Sequence, residues 1–147
     1  MRGWAVPVAC LALLASPADA GQGRASFQVS VAVPARAVLE IVGQPAVLVL
    51  TPDDLARGYK VVSGRYHVSH NDRRGYLLQF VPHGHVAREI RVSGAGGVFV
   101  LGADAIEVHR DGGSFEQDMA IEFRIELAPG ARAGAFDWPV LLAALPL

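Results

Sequence analysis

The chain has 147 residues, 52% hydrophobic and 18% charged, with 13 Lys and Arg against 14 Asp and Glu for a formal net charge of −1. This length holds one ordinary domain. The apolar share excludes a disordered chain, and the balanced charge excludes an electrostatic footprint for nucleic acid.

Met1 to Ala20 reads as a signal peptide that is removed on export. Arg2 is the positive start, Ala5 to Ala15 is apolar, and Ala18-Asp19-Ala20 places small residues at −3 and −1 before Gly21. The apolar run is too short to cross a membrane. Cys10 lies inside that run, whereas a lipidated cysteine would directly follow it. The expected mature chain, residues 21–147, contains no cysteine and so leans on packing alone. The expected location is the periplasm or the cell surface, with no membrane span.

Along the mature chain, Phe27, Val29, Val31 and Val33 alternate with smaller or polar residues until Pro34. This is the period-2 pattern of a strand with one apolar face. Ala37, Leu39 and Ile41 repeat it before the turn Gly43 to Pro45, and Ala46 to Leu50 is a short apolar run. Thr51-Pro52-Asp53-Asp54 predicts a helix start, with Thr as cap, Pro at the first position and acids at the positive end of the dipole. Gly58 ends it within about two turns.

Strands are predicted at Tyr59–Ser63 and Arg65–His70 on either side of Gly64, followed by a turn at Asn71–Gly75. Tyr76, Leu78 and Phe80 alternate with Leu77, Gln79 and Val81, a strand covered on both faces. After a loop at His83–His85 come strands at Val86–Ser93, Val98–Leu101 and Asp104–Arg110. Gly94–Gly97 reads as a hairpin end, and Asp111-Gly112-Gly113 as a hairpin-type turn. Met119, Ile121, Phe123, Ile125 and Leu127 sort cleanly from Ala120, Glu122, Arg124 and Glu126, as only a strand allows. Phe136, Trp138, Val140 and Leu142 share one face of a last strand. These eight to ten short strands predict an all-β, antiparallel sandwich or barrel in a single domain from about Arg24 to Leu147.

Catalytic motifs are absent from the sequence: there is no G-x-S-x-G elbow, no H-E-x-x-H and no P-loop. The expectation is a non-enzyme without a cofactor. His67, His70, His83 and His85 fall within nineteen residues and are the candidate metal ligands. On a strand, however, His67 and His70 point to opposite faces, and surface histidines are the simpler reading. Asp104, Glu107, Asp111, Glu116 and Asp118 lack the spacing of an EF-hand, and a solvated turn accounts for them. Arg73-Arg74 is a candidate contact for an anion or a partner's carboxylate.

Two features resemble the secreted subunits of bacterial surface fibres, the chaperone–usher pilins and the spore-coat-U-like proteins. Gly134 stands fourteenth from the end and opens the alternating run Phe136, Trp138, Val140, Leu142 and Ala144. Phe27, Val29, Val31 and Val33 match the strand that such a subunit donates to its neighbour. The penultimate position, a tyrosine in most of that family, is Pro146. The resemblance implies an incomplete immunoglobulin-like β-sandwich and assembly by strand exchange through the terminal strands. It also implies a periplasmic chaperone and like subunits as partners. The other reading is a self-contained periplasmic or secreted β-sandwich that binds a small ligand, carbohydrate or metal.

Overall fold

The computed structural model describes residues 28–147. The predicted signal peptide and Phe27 lie outside the described residues. The chain divides into two units, Met1–Ala32 and Val33–Leu147. In the first, residues 28–32 form neither helix nor strand, and Val29 and Val31 are 84% and 80% exposed. Val33, which begins the second unit, is 73% exposed and likewise outside any strand. The alternation predicted a strand here. A strand is made by its ladder, and among the described residues these have no ladder partner.

The second unit is antiparallel β-structure, with ten strands and one short helix. In chain order these are β1 (Ala37–Gly43), β2 (Val47–Leu50), α1 (Pro52–Arg57), β3 (Tyr59–His70), β4 (Tyr76–Pro82) and β5 (Ala87–Ser93). They continue with β6 (Val98–Leu101), β7 (Ile106–Arg110), β8 (Glu116–Leu127), β9 (Gly134–Asp137) and β10 (Val140–Pro146). A five-stranded sheet runs β1-β3-β8-β5-β6, a three-stranded sheet runs β10-β4-β7, and β2 pairs with β9.

The apolar rows of these sheets meet in one core. Strand β8 supplies Ile121, Phe123 and Ile125, each fully buried, while Glu122 on the other face is exposed. Phe123 stands opposite Val62 on β3 and Val92 on β5. The three-stranded sheet contributes Tyr76, Leu78 and Phe80, and the β2–β9 pair contributes Leu48 and Leu50. The Phe123 ring meets Trp138 edge to face at 5.4 Å, a favoured aromatic arrangement.

Helix α1 forms where the sequence places it. Thr51 Oγ1 accepts from the Asp54 backbone N–H at 3.2 Å, and Asp54 Oδ2 accepts from the Thr51 N–H at 2.9 Å, a complete capping box. Gly58 closes the helix at φ 77°. Lys60 Nζ and Arg57 Nη2 also donate to the Asp54 carboxylate, at 2.8 and 2.5 Å. The Lys60 bond, with those from Thr51 and Arg57, holds this buried carboxyl well below the usual range against the cost of burial.

Three expectations change. Gly64 does not separate two strands: β3 runs unbroken over 12 residues. The Tyr66 ring lies over the glycine, and a Cβ there would sit 2.6 Å from the Tyr66 hydroxyl oxygen. The last apolar run is two strands, because Trp138-Pro139 interrupts it and Pro139 has no N–H for a ladder. Asp111-Gly112-Gly113 is not a hairpin turn. Strand β7 pairs with β4 and β8 with β3 and β5, so the connection crosses between sheets.

Candidate functional site

Strands β1 and β10 are edges of two different sheets and run side by side without a hydrogen-bonded ladder between them. Register places Leu39 opposite Val68 and Ile41 opposite Tyr66, so these β1 side chains face the core. In the same way Leu142 stands opposite Phe80 and Ala144 opposite Leu78.

The partners on β3 and β4 are at most 1% exposed. Ala37, Leu39, Leu142 and Ala144, although they face inward, are only partly buried, and Ile41 is 58% exposed. The result is an apolar seam along two strand edges that, among the described residues, carry no ladder on their outer sides and whose Cα atoms come within 8 Å of each other. An unpaired edge offers backbone donors and acceptors to an extended peptide.

The start of β1 is fastened from outside the ladder. Asn71 Oδ1 accepts from the Arg36 N–H at 2.6 Å, Asn71 Nδ2 donates to the Pro34 carbonyl at 2.9 Å, and the Asn71 N–H donates to the Arg36 carbonyl at 3.2 Å. The exposed segment ending at Val33 thus leads directly into an anchored point.

Of the residues singled out at the C-terminal end, Val140 and Leu142 lie on β10, and Gly134 and Phe136 lie on β9, which pairs with β2. Gly134 opens β9, Phe136 stands opposite the buried Leu48, and Trp138 and Val140 are buried. Leu142 is part of the seam itself. Phe136, Trp138, Val140 and Leu142 therefore share the core side, as their spacing predicted, although they belong to two strands and their link.

The four candidate histidines do not come together. His67 lies on the outer face of β3, with Nδ1 2.7 Å from Asp118 Oδ1. That bond, followed by the charges of Asp118, Glu116 and Glu40, raises the His67 pKa above its ordinary value. His70 is buried on the opposite face, with Nε2 2.8 Å from the Ser114 carbonyl oxygen and its ring against Tyr76 and Phe115. His83 and His85 are exposed in the β4–β5 loop, where both border one depression. Among the described residues no three His, Cys, Asp or Glu side chains are placed to hold a metal ion.

Two arrangements lie beyond sequence reasoning. The Arg124 guanidinium stacks 3.8 Å from the Tyr59 ring centroid, with Arg57 at 5.7 Å, joining β8, β3 and α1. Arg132 and Asp137 border the His83–His85 depression from far along the chain. Neither has a local motif; both follow from strand register and loop packing.

No helix of the described residues is long and apolar enough to cross a membrane. In comparison with known proteins, the chain matches no family model, no curated protein and no solved structure.

Proposed function

We propose that this protein is an exported structural or adhesive subunit that assembles into surface fibres by β-strand exchange. Residues 27–33 of one copy lie in the β1–β10 seam of the next. The observation that supports this is the presence, in one chain, of an apolar seam between two unpaired strand edges and of an exposed segment of matching period.

The framework in this reading is an immunoglobulin-like sandwich. The order β1-β3-β8-β5 matches the A-B-E-D sheet of that fold and β10-β4 its F-C pair, while β7, which pairs with β4 but follows β5 in the chain, has no counterpart in it. Among the described residues no strand pairs the outer edge of β10, the place a G strand takes in a complete sandwich. Before assembly, a periplasmic chaperone covers the seam, because a bare edge beside apolar side chains aggregates.

Burying the side chains of Phe27, Val29, Val31 and Val33 is worth roughly 6–12 kcal/mol in total. Ordering the segment and losing free motion reduce this, and β1 and β10, which lie within 8 Å of each other, part to admit the strand and pair with it.

The test removes Arg24–Val33 from the exported protein and adds back a peptide copying Ser26–Val33. The truncated protein is expected to stay folded, to remain monomeric in size-exclusion chromatography, and to take up the peptide. The intact protein is expected to polymerise. An unfolded truncation together with a strictly monomeric intact protein overturns the proposal.

A further inference from the structure

We propose that the depression between the β4–β5 and β8–β9 loops is a binding site for a sugar acid, a monosaccharide-sized ring bearing a carboxylate. Its volume is about 610 Å³, within the range of small-molecule sites and far larger than a bare inorganic anion requires.

The walls are built. His83 N–H donates to the Pro139 carbonyl at 2.7 Å, Ala128 N–H to Val86 at 2.9 Å, and Ala131 N–H to Ala128 at 3.1 Å. Val86 and Phe136 line the cavity and also pack against the hydrophobic core, so its apolar lining is continuous with the domain interior. The remaining wall is mostly Gly and Ala, which lets a ligand approach the backbone.

Four residues with ionisable side chains line the depression: His83, His85, Arg132 and Asp137. Among the described residues none of them takes part in a side-chain hydrogen bond or an ion pair. Uncommitted polar groups around an apolar lining are the signature of a ligand site. Their chemistry selects the ligand. A guanidinium pairs a planar carboxylate through two parallel N–H bonds. The imidazoles donate to further oxygens. The Asp137 carboxylate accepts from hydroxyls and opposes a doubly charged phosphate. Phe136 offers the apolar surface that the C–H face of a sugar ring covers. This site is separate from the β1–β10 seam and stands whether or not strands are exchanged.

Calorimetric titration of the exported protein with glucuronate, and with glucose as the neutral analogue of the same shape, tests this. Glucuronate is expected to bind with a Kd below about 1 mM, and glucose at least about tenfold more weakly, having lost the charge-assisted pair. Arg132→Ala, and the double change His83→Ala with His85→Ala, each weaken glucuronate by at least about tenfold. These residues are exposed, so circular dichroism of the variants is expected to match the parent. Absence of glucuronate binding, equal affinity for glucose, or unchanged affinity in either variant overturns the proposal.

Discussion

Replacing Gly64 by alanine sets two effects against each other. Glycine within a strand gives up more conformational freedom on folding than alanine, so the change alone would stabilise the protein by about 0.4–1 kcal/mol. The new methyl, however, would stand 2.6 Å from the Tyr66 hydroxyl oxygen and 2.8 Å from two ring carbons. Tyr66 is 1% exposed, and its hydroxyl donates to Gln44, so moving the ring disturbs its packing and that bond. Overpacking of this kind costs about 1–3 kcal/mol. The steric effect wins, and the expected outcome for Gly64→Ala is a net loss of about 1–2 kcal/mol. Urea unfolding followed by Trp138 fluorescence reads it. The double variant with Tyr66→Leu removes the obstructing ring, so its loss should be smaller than the sum of the two single losses. Gly97→Ala, where nothing lies within 4 Å of the new Cβ, serves as the open-space control. A Gly64→Ala protein as stable as its parent, or strict additivity in the double variant, would refute the argument from the Tyr66 ring.

Two more predictions concern the core and the outer face. Phe123→Ala removes a fully buried ring and the edge contact with Trp138. It is expected to cost about 3–5 kcal/mol and to red-shift the tryptophan emission, and a loss under about 1 kcal/mol contradicts the packing described. The His67 pKa lies above its ordinary value of 6.5, chiefly through the Asp118 hydrogen bond. The protonated imidazole therefore favours the fold: this contribution is complete below pH 6.5 and fades as pH rises through the raised folded value. Urea midpoints measured against pH should show that decline in the parent and lose it in His67→Gln. An identical profile in the two proteins rejects the assignment.

What the sequence disclosed is what depends on near neighbours. The strict alternation from Met119 to Leu127 defined the strand whose inward row forms the centre of the core. The series Thr51, Pro52, Asp53, Asp54 and Gly58 defined a helix start and stop, and all five residues act as capping chemistry requires. His67 and His70 were separable by parity alone. What remained hidden is set by distant partners. Gly64 reads as a break until Tyr66 is seen lying over it. Asp111 to Gly113 reads as a hairpin because local turn chemistry does not specify which sheet the next strand will join. The β1–β10 seam arises from two strands that begin about a hundred residues apart along the chain. The cluster of His83, His85, Arg132 and Asp137 likewise joins residues with no common period.

The placement of β8 bears on the order in which the domain comes apart. It is the middle strand of the five-stranded sheet, laddered to β3 on one side and β5 on the other. Peeling away β6 or β1 leaves both ladders of β8 closed, whereas opening β8 separates the sheet into halves and exposes Ile121, Phe123 and Ile125 together. Amide hydrogens in the middle of β8 therefore exchange with solvent only when the whole domain unfolds, and those of β1, β6 and β7 exchange through smaller openings. Strand β1, which borders the seam, thus belongs to the part of the molecule that opens more readily than β8. The proposed strand exchange would therefore leave the β3–β8 pair intact.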